Sequence, residues 1–260
     1  MRVVAAEFRK LLTLPSALVA IGFTVAAMPG LAAQTASQIA ARLDAGGPEV
    51  VGTVSTLNVG FYLVPFAVIG PIVLGIVLAG SEYTRGNRDT DGGRQITASL
   101  TAVPARGTLL MAKASVLVVL SGVLAAVVVP ATIWLTQTVL GEHGHTWDEL
   151  AGTLGWRVAG AVAYWVLMSL LAFAVTLVAR SGIVPMIFFV VNSSMVSFSF
   201  LLTRATPLAK YLPDVAGTQM FSPDYPAEGM LGPVPGGLVM LAWTAGLLAV
   251  AALVLTRRDA

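Results

Sequence analysis

Ionisable side chains are scarce in this chain, at 11% of residues, and many of them sit together. The stretch SEYTRGNRDTDGGRQITASLTAVPAR, residues 81–106, carries Glu82, Arg85, Arg88, Asp89, Asp91, Arg94 and Arg106. Charges of both signs set among glycines offer ion pairing and docking, and the stretch is too short to be a catalytic domain. A second set is neutral: Asn192, Ser193, Ser197 and Ser199 lie in one apolar segment, where about 100° per residue puts Asn192 and Ser199 on one helical face with the other two on its flank. Asn58, Tyr62, Thr132, Thr136 and Gln137 add hydroxyls and amides in other apolar segments. Such groups suit either of two tasks, lining a path for a solute or hydrogen bonding between helices. A third set, Glu142, His143, His145 and Asp148, contains metal-ligating types, but a zinc site normally needs three or four ordered ligands and the pattern reads as a solvated loop.

Several chemistries are excluded. With no cysteine there is no disulfide, thiolate metal site or cysteine nucleophile. No G-x-x-x-x-G-K-[ST] loop is present to cradle a nucleotide phosphate, and neither G-x-S-x-G nor H-E-x-x-H appears. A net charge of +2 is too small to argue for a nucleic-acid partner. The chain is therefore not expected to be an enzyme, and no cofactor is expected on it.

The elements that must position these residues are apolar and long. The chain is 57% hydrophobic, so it cannot cover itself with water-facing side chains. Six segments approach or exceed the roughly 20 residues that a bilayer-crossing helix needs: 14–33, 58–80, 109–140, 158–179, 183–202 and 236–256. Hydrocarbon demands that each satisfy its own backbone hydrogen bonds, so the expected fold is all-α, a polytopic bundle of six transmembrane helices. Their centres hold no Asp, Glu, Lys, Arg or His, which weighs against an ion-driven carrier. Pro65, Pro71 and Pro130 are expected to bend their segments.

Ahead of the first segment, MRVVAAEFRKLLT places Val3, Val4, Phe8, Leu11 and Leu12 near one helical face, as expected for a helix lying in the membrane interface over residues 1–13. With the N-terminus inside, only Arg42, Arg157, Arg204 and Lys210 of the 15 basic residues fall outside, so both termini are expected in the cytoplasm. Residues 1–260 then form a single transmembrane domain, with 81–107 as the main cytoplasmic loop and 203–235 as an external one. Within the loop, residues 97–103 can form a short helix that stops before Pro104.

The order SEY, Arg85-Gly86, a short linker, SLTAVPARG and Lys113 opening a long apolar segment resembles the same region of ABC-2 type transporter permeases. The overall layout resembles theirs as well. Gly86-Asn87 departs from the Gly-Thr common at that point, and Asp89 to Gly93 makes the linker unusually acidic. The resemblance implies a permease subunit of an ATP-binding cassette transporter, exporting an amphipathic compound such as a drug, antibiotic peptide or lipid. It implies a separate ATPase subunit that holds ATP and magnesium, and a second permease subunit as homodimer or heterodimer. Glu82, Tyr83, Arg85 and Gly86 would stand at the cytoplasmic gate, and Ser99, Pro104 and Arg106 on the ATPase surface. Asn58, Tyr62, Gln137, Asn192, Ser193, Ser197 and Ser199 are the candidate translocation path. The membrane would be a bacterial plasma membrane, in keeping with the preference for Arg, Ala, Gly and Val. The competing reading is a non-transporting membrane scaffold or sensor whose loop binds a soluble partner.

Overall fold

The computed structural model describes residues 2–48, 54–83, 106–194, 197–222 and 230–257, and among them every regular element is helical. Helix α1 (Arg2–Thr13) gives way to α2 (Pro15–Asp44) at Leu14, whose backbone is extended. Pro15 explains the break, because proline disfavours helical geometry in the residue before it and is well suited to a first helical position. At 30 residues α2 is about 45 Å long, well beyond the end expected at residue 33.

The expected helix over 58–80 is only partly formed. Residues 58–63 are turns, α3 (Val64–Ala67) is one turn long, and α4 (Ile69–Gly80) begins after an interruption at Val68. Proline supplies the reason: Pro71 has no N–H to donate to the Ala67 carbonyl, so the ladder is cut there. Helix α5 (Arg106–Leu140) runs through Pro130 without a break. A short 3-10 turn at Gly141–His143, with Gly141 at φ 58°, reverses the chain.

Helix α6 (Trp147–Ala179) opens in a capping box, the Thr146 backbone N–H donating to the Glu149 carboxylate at 3.0 Å, and so starts 11 residues before the expected 158. The segment 183–202 is not one helix. It divides into α7 (Ile183–Asn192) and α8 (Phe198–Ala205), which restarts on a Ser197 cap that accepts from the Phe200 N–H. A 3-10 turn at Pro207–Tyr211 and α9 (Pro213–Thr218) follow, then α10 (Pro233–Arg257).

Four helices, α2, α5, α6 and α10, are long and apolar enough to cross a membrane, and Val64–Gly80 and Ile183–Asn192 are shorter apolar helices. Helix α6 is the hub, packed on α4, α5 and α10. Tyr164, Trp165 and Phe173 are buried along it. Two glycines let backbones meet: a Cβ on Gly75 would lie 2.2 Å from the Ser169 carbonyl oxygen, and one on Gly160 would lie 2.0 Å from that of Met220. Away from the hub the surface is apolar, with Val19, Val127, Ile187 and Leu238 all more than half exposed. Apolar surface on this scale marks contact with lipid or protein rather than water.

Candidate functional site

Two polar constructions occupy opposite ends of the α3–α4 segment. At its C-terminal end stands an ionic junction. Glu82, just past α4, is 1% exposed, and its Oε1 accepts from Lys10 Nζ of α1 at 2.5 Å and from Lys113 Nζ of α5 at 2.8 Å. Lys113, 2% exposed, also donates to Glu7 Oε2 of α1 at 2.6 Å. The two carboxylates and two ammonium groups cancel in charge, which is the condition for burying them. Burial alone would raise the Glu82 carboxyl, but Lys113 and Lys10 outweigh it and hold it below the usual carboxylate range. Its Oε2 has no hydrogen-bond partner among the described residues.

The junction ties three elements at the point where the chain enters and leaves residues 84–105. Tyr83 donates to the Leu177 carbonyl near the end of α6 at 3.4 Å. Arg106, at the start of α5, donates to the Leu255 carbonyl in the last turn of α10, where a cation complements unsatisfied carbonyls. Arg85, Gly86, Ser99 and Pro104 lie outside the described residues.

At the other end is a cavity of about 200 Å³. Asn58, Tyr62, Asn192, Ser193 and Ser197 of the sequence-derived set line it, together with Asp214. Asn192 Nδ2 donates to Asp214 Oδ2 at 2.7 Å, and Ser197 Oγ lies 3.3 Å from both that oxygen and Asn192 Oδ1. Ser199 stands behind this layer, its N–H and hydroxyl both donating to Asn192 Oδ1, at 3.2 and 3.1 Å. Asn192, Ser197 and Ser199 meet, but not along one helical face as their spacing suggested: the helix ends at Asn192, and Ser197 and Ser199 at the start of α8 hydrogen-bond to its side chain.

Gln137 is not part of the cavity lining. Its Nε2 donates to the Thr56 carbonyl at 3.0 Å, and its Oε1 accepts from the His145 N–H at 2.9 Å, so it fastens the reversal after α5. His145 Nε2 lies 3.0 Å from the Thr56 hydroxyl and His143 Nε2 lies 2.9 Å from Asp44 Oδ1. No group of three or more His, Cys, Asp or Glu residues is placed to hold a metal ion among the described residues.

Asp214 and Arg157 were not legible as site residues. Asp214 belongs to the segment expected as an external loop, yet α9 folds against α10 and α6 and leaves the residue 7% exposed. Burial pushes its carboxyl up, against the hydrogen bond from Asn192. Arg157, 4% exposed, donates from Nη1 to Asn58 Oδ1 at 2.7 Å and from Nε to the Phe221 carbonyl at 2.6 Å, over the Phe61 ring. The available signal for Asp214 is a lone acid in the apolar run YLPDVAGTQMF, and for Glu7 a lone acid three residues before Lys10. No protein-family model, curated protein or solved structure matches the chain.

Proposed function

We propose that this chain is the membrane permease subunit of an ATP-binding cassette transporter of the ABC-2 type, exporting an amphipathic compound with energy from a separate ATPase subunit. In this reading the six apolar segments cross a bacterial plasma membrane, α1 lies in the cytoplasmic interface and both termini are cytoplasmic. Two permease subunits, identical or different, complete the assembly, and ATP and magnesium sit on the partner ATPase. Residues 84–105 meet that ATPase. The four long apolar helices and the resemblance around Glu82 to Lys113 support the reading.

The single observation that carries it is the ionic junction. A soluble partner that displaces residues 84–105 acts on both of its anchors, Glu82 at the end of α4 and Arg106 at the start of α5. Glu82 and Lys113 are joined to each other and to α1, so a push there is passed to three helices together instead of being absorbed by a loop. Helix α4, about 18 Å long, runs from this end to α3, whose Pro65 and Phe66 line the cavity. Asn58, Tyr62, Asn192, Ser193 and Ser197 in the lining of that cavity offer a solute hydrogen bonds along its way.

The test is to look for an ATPase reading frame beside this chain's own and, with one found, to co-express the two, reading co-purification and substrate-stimulated ATP hydrolysis. Glu82→Ala is expected to keep the ATPase bound while losing stimulation. Ser99→Pro is expected to lose binding, because proline inside a helix costs about 3 kcal/mol or more. If both variants bind and couple like the parent, residues 84–105 are a solvated connection and the permease reading loses its main local support; a parent chain that binds no ATPase leaves the scaffold reading.

A further inference from the structure

Among the described residues, the cavity contains a buried acid without a counterion. Asp214 is more than nine-tenths buried and lines the space, yet it makes no ion pair among the described residues. Its hydrogen-bond donors are the side chains of Asn192, Ser197 and Ser199 and the backbone N–H groups of Asp214 and Val215, all neutral, so they solvate the carboxylate without supplying an opposite charge. Around it the wall is aromatic: Tyr62, Phe66, Tyr164, Phe200 and Phe221 line the same space, as does Phe61, whose ring already carries the Arg157 guanidinium. Aromatic faces attract cations, and a carboxylate removed from water attracts them more strongly than it would at a surface. Tyr62 and Ser194 are exposed at the rim, so a solute can enter.

The charged and titratable groups on the elements packed around α9 do not take the place of a counterion. On α6, Tyr164 is buried in the cavity wall and carries no positive charge, and Arg157 donates to Asn58 and the Phe221 carbonyl and does not line the cavity. Asp148 and Glu149 sit in its first turn. On α8, Arg204 is exposed; in the turn before α9, Lys210 lies over the Tyr211 ring. Helix α7 has no ionisable side chain, and α10 has only Arg257 at its far end.

We infer that the Asp214 cavity is a binding site for an amphipathic organic cation, an amine or quaternary ammonium whose charge meets the Asp214 carboxylate while its apolar body lies against the aromatic wall. That the site receives the transported molecule rests on the permease reading; that it binds a cation does not. A permanently charged ligand needs the ionised carboxyl, whose protonation burial favours in the empty site. Affinity for such a ligand therefore rises with pH through the carboxyl's raised value and then levels.

The experiment uses the purified full chain in detergent and equilibrium dialysis, with protein-free micelles subtracted. The probes are benzyltrimethylammonium and its uncharged isostere neopentylbenzene, neither of which titrates. At pH 8 the cation is expected to bind at least tenfold more tightly than the isostere. Asp214→Asn should reduce that ratio to within about twofold. Should that variant fail to fold, the parent decides alone: its affinity for the cation must fall at least tenfold on acidification between pH 9 and pH 3, while the isostere stays level. No preference for the cation, a preference that survives Asp214→Asn, or a flat pH profile would each overturn the inference. Binding is read without any ATPase, so cation binding with no ATPase partner sinks the permease and keeps the site, and the reverse result does the opposite.

Discussion

At the scale of single residues, the buried charges act through what they leave behind when removed. Lys113→Met strips both Glu7 and Glu82 of a buried ammonium, and breaking such a network costs about 3–5 kcal/mol. Replacing all three together, Glu7→Gln with Glu82→Gln and Lys113→Met, should recover most of the loss, because it leaves no uncompensated charge. Thermal unfolding in detergent checks both, and equal losses for the single and triple variants would refute the network account. The acid limb follows from Glu82, whose folded pKa lies below the ordinary 4.5. A lowered carboxylate contributes its stability in full above the unfolded value and loses it as pH falls through the lowered folded one. Melting of the parent should therefore decline below about pH 4.5, and Glu82→Gln should remove part of that decline. Asp214 has the opposite sign. Its raised carboxyl costs stability as pH rises past the unfolded value, so Asp214→Asn should leave melting near the parent's at pH 3 and raise it at pH 8.

At the scale of elements, α6 makes opposite demands on two of its own glycines. Gly160 faces the Met220 backbone, where an added Cβ would sit 2.0 Å from a carbonyl oxygen, whereas Gly152 has nothing within 4 Å. Gly160→Ala should therefore destabilise by about 1–3 kcal/mol through overpacking. Gly152→Ala, in the exposed stretch near the start of the same helix, should stabilise by about 1 kcal/mol through helix propensity. Melting of the two variants side by side tests whether packing or propensity rules at each position, and two changes of the same sign would contradict this assignment. The same competition explains the interrupted helices. Periodicity marks 58–80 and 183–202 as apolar segments, but Pro71 removes a donor in the first. In the second, the amide of Asn192 recruits Ser197 and Ser199 in place of a continuing ladder.

At the scale of the whole molecule, the permease reading places the two polar constructions on opposite sides of a membrane. The absence of native cysteine makes this directly measurable. A cysteine at Asp44, whose side chain is 72% exposed, should react with an impermeant maleimide in intact cells. One at Asn87 should react only after the membrane is opened. Labelling of Asn87→Cys in intact cells would invert or abolish the topology, and with it the cytoplasmic position of the ionic junction.

The sequence by itself determined the class of the molecule. A chain 57% hydrophobic, with uncharged runs of about 20 residues, can satisfy its backbone in hydrocarbon as helices, and the helical class follows from that; of the six spans the sequence suggests, four are helices of spanning length among the described residues. It also marked Asn192 and the nearby serines, as polar groups in an apolar run that need partners, and Glu82 as one charge of the run 81–106; Lys113 entered only through the resemblance. It did not reveal which partners they take. Glu7 meets Lys113 across 106 positions, and Asp214 meets Asn192 across 22. Local rules reach about one helical turn, so pairs so far apart stay invisible until the helices dock. Only the docked helices turned a stretch read as external loop into the wall of a cavity. Burial against α6 and α10 is what makes Asp214 a site, since the same carboxylate in water would be an ordinary surface charge.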